Sequence, residues 1–146
     1  AFDGDKLVSF TCNGIGNFYG VRAAYDTGTG TLKDYQGRGL ATQVFEYSIP
    51  YLRELGIEEY LLEVLQHNTG ALSVYRKLGF EITREFYYFK QKNEQVDRAV
   101  KALDCCYTLK SIKISEYSSI HKFWDFEPSW QNSFEAINNA LKILSV

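Results

Sequence analysis

The spacing of apolar positions changes several times along the chain, and each change marks an element. Leu40, Val44, Phe45, Leu52 and Leu55 recur at helical spacing and predict a helix over 39–55. Pro50 falls inside it and removes one main-chain hydrogen bond, so a kink or local break is expected there. Tyr60 to Leu65 is a short, almost wholly apolar run, the pattern of a buried central strand. Ala71, Leu72, Tyr75 and Leu78 return to helical spacing over 69–78, with Asn68 as N-cap and Gly79 as the C-terminal stop. Strands near Lys6–Gly14 and Asn17–Tyr25 lead into a bulged strand ending at Leu32, and a further strand is expected over 80–90. Together these predict an α/β (α+β) domain whose mixed, mostly antiparallel twisted sheet is flanked by helices.

From about Gln91 the character shifts. Val96, Ala99, Val100 and Leu103 suit a short amphipathic helix or linker, and Tyr107 to Ile114 a strand. Tyr117, Ile120 and Trp124 suggest another helix. Pro128-Ser129 then opens a last one, with Ser129 as its cap and Phe134, Ile137, Leu141 and Leu144 on one face. The chain therefore divides into 1–92 and a smaller strand-helix-helix segment, 93–146.

Two stretches carry chemistry. Gln36-Gly37-Arg38-Gly39-Leu40-Ala41 is a glycine-rich turn opening a helix. Glycines reach dihedrals closed to other residues, and the first turn of a helix presents unpaired N–H groups and partial positive charge. That combination suits a phosphate, with Arg38 able to add a charge-assisted contact. No Gly-Lys-Ser/Thr follows, so this is not a Walker loop, and the full dinucleotide fingerprint is absent. Glu63 is the one charge in the apolar run 60–65, where burial would raise its pKa toward neutrality, as a general base requires. Asn68 and Tyr75 are seven apart and share a helix face. Individually these residues read equally well as a cap, a core tyrosine and half an ion pair. Their joint occurrence beside a phosphate-type turn is what points to a site that holds an anionic cofactor and moves protons.

The two stretches resemble the GNAT superfamily of N-acetyltransferases. Gln36 to Ala41 satisfies its Gln/Arg-x-x-Gly-x-Gly/Ala motif, and Asn68, Ala71, Tyr75, Gly79 and Phe80 match the motif that follows. The resemblance covers roughly Lys6 to Phe89. It implies acetyl-CoA as co-substrate, gripped by Leu32, Gln36, Gly37, Arg38, Gly39, Leu40, Ala41 and Thr42, with Asn68, Ala71 and Tyr75 along its arm. It further implies Tyr75 as the acid that protonates the departing thiolate and Glu63 as general base. Asp26 and bulk water compete for the role of base. No metal is required.

The acceptor is expected to be a primary amine, of a small molecule or a peptide. The segment Lys122 to Gln131 holds both tryptophans; Trp124 and Trp130, with Asp26, could line an amine pocket or simply form core. The competing class is an inactive GNAT-like binding or assembly module; a nucleotide-binding module would leave the Asn68–Tyr75 pattern unused. Net charge −2 argues against a general nucleic-acid binder. No run is long enough for a membrane span, and three cysteines without a framework read as cytoplasmic. His67 and His121 are too few for a metal cluster.

The chain contains no methionine and, on this resemblance, starts in the fold's second strand, so it reads as a fragment. Strand, helix, helix is what its front lacks and what 93–146 offers. That segment is expected to begin a second GNAT-like unit of a tandem protein, or else to complete the first unit, in cis or by exchange within a homodimer.

Overall fold

The computed structural model describes residues 1–92 and 106–144. The helix or linker expected at Val96 to Leu103 lies outside them. The chain forms two compact units, Ala1–Glu81 with Phe126–Val146, and Ile82–Asp125.

In the first unit, β1 (Phe2–Asp3) and β2 (Lys6–Leu7) make a short antiparallel pair. The main sheet follows, with β3 (Ser9–Phe18), β4 (Val21–Thr31) and β5 (Glu59–Leu61) in the order β3-β4-β5. β3 and β4 are antiparallel, joined through Tyr19 and Gly20 with φ of 50° and 84°. Positive φ at both turn residues matches the twist of the flanking strands. The hairpin therefore turns at 19–20, and Gly14 and Gly16, which look like punctuation in the sequence, sit inside β3.

The β3–β4 register shifts between Cys12 and Asn13, whose partners are Gly28 and Asp26. Thr27 is the extra residue of a bulge, as the glycines of this strand suggested, and its hydroxyl donates to the Cys12 carbonyl at 3.0 Å. From β4 the chain crosses through α1 (Leu40–Glu54) to β5, which pairs parallel to β4. α1 runs unbroken through Pro50. α2 (Thr69–Lys77) follows β5.

Phe45 of α1 is fully buried against the Tyr60, Tyr75 and Phe80 rings, at 5.5, 5.7 and 6.1 Å between centroids. This cluster ties α1, α2 and β5 together. The opposite face of the sheet is covered by α3 (Phe134–Leu144) and the 3₁₀ turn before it, Trp130–Asn132. Ser129 makes no capping hydrogen bond; the helix begins later than the sequence suggested, and Ser133 caps it by accepting from Ala136 N at 3.2 Å.

In the second unit the expected strands over 80–90 and 107–114 do not form among the described residues. β propensity needs a neighbouring strand to become a ladder, and these stretches are paired with none; Tyr87, Tyr88 and Leu109 are exposed. Ile114–Phe123 is a 3₁₀ helix.

Replacing Phe45 with alanine leaves a cavity among three rings and should cost about 3–5 kcal/mol. Chemical denaturation should show this as a lower midpoint.

Candidate active site

The parallel pairing of β4 with β5 runs through Ala23–Glu59, Ala24–Tyr60 and Tyr25–Leu61 and then ends. Asp26 is the first residue of β4 beyond it. Successive strand residues face opposite sides, so Tyr25 and Asp26 present their side chains to different faces at the same point.

On the α2 side, Tyr75 reaches Asp26 with its phenol, donating to Oδ2 at 3.5 Å, the outer limit of hydrogen-bond length. Its ring stands edge-on to Phe45 and Phe80, at 5.7 and 5.8 Å. Burial, and then the Asp26 charge, push the Tyr75 phenol up to about 12. Tyr60 points into the same region and donates to Asn13 Oδ1 at 2.5 Å.

On the α3 side, Tyr25 is buried and stacks on Trp130, with ring centroids 4.9 Å apart and planes 7° off parallel. Gln131 donates an amide hydrogen to the Tyr25 hydroxyl at 3.2 Å. The Glu63 carboxylate lies close enough to the same hydroxyl to act on it electrostatically. Burial and then the Glu63 charge push the Tyr25 phenol up to about 12. Glu63 itself is exposed and lies past the end of β5, so the burial expected of it is not found. The apolar run stops pairing at Leu61, because β4 no longer offers it an edge.

The glycine-rich turn has the geometry that a phosphate cradle needs. Gly37 and Gly39 both adopt left-handed φ, 75° and 76°, and Gly39 is the N-cap of α1. The amides of Leu40, Ala41 and Thr42 in the first turn have no acceptor within the helix. Gln36 is tied back to the Thr31 carbonyl at 3.2 Å. Arg38 donates to the Asp34 carbonyl at 2.9 Å and lies over the Tyr35 ring, 4.9 Å from its centroid. Leu32, just after β4, is exposed. Asn68 caps α2, its Oδ1 accepting from Ala71 N at 3.2 Å.

The structure thus brings Tyr75 to Asp26 and Glu63 near Tyr25, and forms the glycine-rich turn with its first-turn amides unpaired within the helix. Trp130 joins the cluster through Tyr25, while Trp124 belongs to the second unit. The sequence reading missed Tyr25 and Gln131 as members of this group. For Tyr25 a signal existed: in parallel strands the partner of Leu61 neighbours a residue two past it on the same face. For Gln131 there was none. Among the described residues, no group of His, Cys, Asp and Glu could hold a metal, and no helix is long and apolar enough to cross a membrane.

Residues 1–80 match the family model described as the Acetyltransferase (GNAT) family. The chain belongs to that family. It is 34% identical over 91 residues to the Probable N-acetyltransferase san of Drosophila melanogaster, covering 60% of this chain and 50% of san. It is 38% identical over 58 residues to the N-alpha-acetyltransferase MAK3 of Arabidopsis thaliana, covering 40% of this chain and 30% of MAK3. The chain thus spans half or less of these relatives. Among solved structures, the ribosomal-protein-alanine N-acetyltransferase of Brucella melitensis biovar Abortus 2308 superposes with a TM-score of 0.53 at 16% identity, covering 62% of this chain and 67% of that one. An aminoglycoside N-acetyltransferase in complex with CoA gives 0.54 at 21%, covering 63% and 72%. At these identities the likeness is one of fold.

Two of the family member's phenols should resist alkali. Both are raised groups, so their neutral forms add stability fully present below pH about 10, and lost as pH rises through about 12. In an ultraviolet titration, Tyr25→Phe and Tyr75→Phe should each remove one late-titrating phenol.

Proposed function

We propose that this chain transfers an acetyl group from acetyl-CoA to a primary amine, with Glu63 as general base and Tyr75 as general acid. The observation that carries the reading is the meeting of two carboxylate–phenol pairs where β4 and β5 part. The residues present fit the co-substrate. Gly37 and Gly39 carry no Cβ, one added at Gly37 would meet nothing within 4 Å, and the first-turn amides of α1 have no acceptor within the helix. Gln36, Gly37, Arg38, Gly39, Leu40, Ala41 and Thr42 would hold the pyrophosphate there, and Asn68, Ala71 and Leu32 would lie along the arm. Acetyl-CoA, when bound, supplies a thioester carbonyl open to attack.

The protein's own groups then divide the proton work. An amine attacks only when deprotonated, and Glu63, exposed and near the Tyr25 hydroxyl, would take or relay that proton. Main-chain amides along β4 past Tyr25 are available to a developing oxyanion. The Tyr75 hydroxyl stays protonated across the physiological range and can deliver its proton to the departing sulfur. Direct attack needs no covalent intermediate on the enzyme. The relatives and neighbours named above are described as N-acetyltransferases, which supports nitrogen as the acceptor atom and leaves a peptide or small-molecule amine as the class.

Calorimetric titration should show acetyl-CoA and CoA binding at micromolar level, with ATP failing to bind. Binding of ATP alongside them would transfer the turn to a general phosphate role. Tyr75→Phe should leave acetyl-CoA affinity nearly intact and lower turnover by on the order of 10²-fold. A large loss of affinity in that variant would make Tyr75 a binding residue instead. Glu63→Gln should abolish or shift the acidic limb of the pH–rate profile; an unchanged limb would remove Glu63 from the base role.

A further inference from the structure

Asp26 does not stand like a free base. Its Oδ1 accepts the Gly28 main-chain N–H at 2.9 Å, and its Oδ2 accepts the Thr29 hydroxyl at 2.9 Å and the Tyr75 phenol at 3.5 Å. The bulge at Thr27 makes this possible. Inserting one residue lets the chain fold back so that Gly28 and Thr29 reach the carboxylate two and three positions behind them. Thr27 itself is pinned across the sheet to Cys12, and Thr29 lies 3.0 Å from the Thr11 hydroxyl. The carboxylate is therefore held from its own strand on one side and offered to Tyr75 on the other. Two donors fill Oδ2 and one bonds Oδ1, so an incoming amine meets a carboxylate already engaged at three of its four lone pairs.

Tyr75 needs such a partner. Phe45 and Phe80 fix its ring by edge contacts but leave rotation of the hydroxyl hydrogen undetermined. We propose that Asp26 is the positioning residue for proton delivery: its Oδ2 accepts the Tyr75 hydroxyl hydrogen beside the end of the Tyr25–Leu61 pairing and holds it there until rotation about the C–O bond turns it to the departing sulfur. The inference rests on Tyr75 as the general acid proposed above, and it takes Asp26 out of the competition for general base. During transfer the O–H bond of Tyr75 breaks, an S–H bond forms, and the phenolate left behind faces a carboxylate. That repulsion favours rapid recapture of a proton from solvent.

The groups facing the Tyr75 hydroxyl are Asp26 from β4 and Tyr60 from β5; α1 contributes the Phe45 ring, and Phe80 is likewise apolar. Replacing Asp26 with asparagine keeps Oδ1 for the Gly28 amide, puts an NH2 where Oδ2 met Thr29 and Tyr75, and removes the charge. The phenolate is then penalised less, so Tyr75 titrates lower, though burial still holds it above an exposed phenol. A phenol donates only while protonated, so the alkaline limb of the rate profile moves to lower pH.

The experiment compares wild type, Asp26→Asn, Tyr75→Phe and the double variant. One readout is the tyrosine absorbance titration of the protein without co-substrate, taking the Tyr75 contribution as the difference between each protein and its Tyr75→Phe counterpart. The other is turnover against pH with acetyl-CoA affinity measured alongside. Expected are an earlier-titrating Tyr75, a fall in kcat of up to about a hundred-fold with affinity within two-fold, and a double variant no slower than Tyr75→Phe. Should Asp26→Asn not fold, Asp26→Ser, which can still accept from the Gly28 amide, carries the same readouts. An unmoved phenol and unchanged kcat in the Asp26 variant, with Tyr75→Phe impaired, would overturn the inference and leave the function standing. Loss of the acidic limb would overturn it too, making Asp26 the base. Wild-type turnover in Tyr75→Phe would instead sink the general-acid reading on which it depends.

Discussion

Everything at the site depends on how briefly β4 and β5 pair. Their ladder covers Ala23 to Tyr25 against Glu59 to Leu61, while β4 continues with β3 to Thr31. Past that point β4 keeps one partner and exposes its other edge. A longer β5 would satisfy that edge with main-chain bonds and close the opening that the proposed transfer uses. Two constraints keep it open. The chain must leave β5 in time to start α2 at Thr69, and the Phe45 cluster fixes where α2 sits. The bulge at Thr27 then bends β4 just beyond the last pair.

The alternation of strand side chains turns this opening into a site with two differently equipped walls. Asp26 meets Tyr75 on the α1–α2 side, whereas Tyr25 meets Glu63 and Gln131 on the α3 side. Each phenol is raised chiefly by burial and then by its carboxylate. A raised phenol is a donor that holds its proton at neutral pH, so the same physics has different uses on the two walls. Beside Asp26 it keeps the proposed acid, Tyr75, loaded. Beside Glu63 it keeps a neutral donor near an otherwise exposed carboxylate.

What could be read from the sequence was what local chemistry decides. Helices α1 and α2, the Asn68 cap and the left-handed glycines at 37 and 39 follow from side chains within a few residues of one another. The bulge in β4 was legible for the same reason. Glu63 was misread as buried because an apolar run does not state how far its neighbour will accompany it. The strands expected over 80–90 and 107–114 failed on the same ground, since β character becomes a ladder only with a partner. Ser129 looked like a cap, but a 3₁₀ turn intervenes and Ser133 does the work.

Gly14 and Gly16 show most clearly what sequence proximity conceals. In isolation they suggest a break; in the sheet they make room for Trp130, more than a hundred positions later. A Cβ at Gly14 would lie 3.0 Å from the Trp130 Cη2, and one at Gly16 would lie 3.7 Å from its Cζ2. The flat indole covers both and stacks on Tyr25. Its Nε1–H is buried without a partner among the described residues, which costs about 1–3 kcal/mol. Aromatic stacking returns about 0.5–1.5 kcal/mol, and the area the ring takes from water adds more. That balance favours the largest flat ring available even with an orphaned donor. Once Trp130 is seated, Gln131 follows it to the Tyr25 hydroxyl, and Tyr25 in turn faces Glu63. The orientation of the proposed base therefore depends on a tryptophan from the far end of the chain, and on two glycines that the helices and motifs of the first ninety residues give no reason to require.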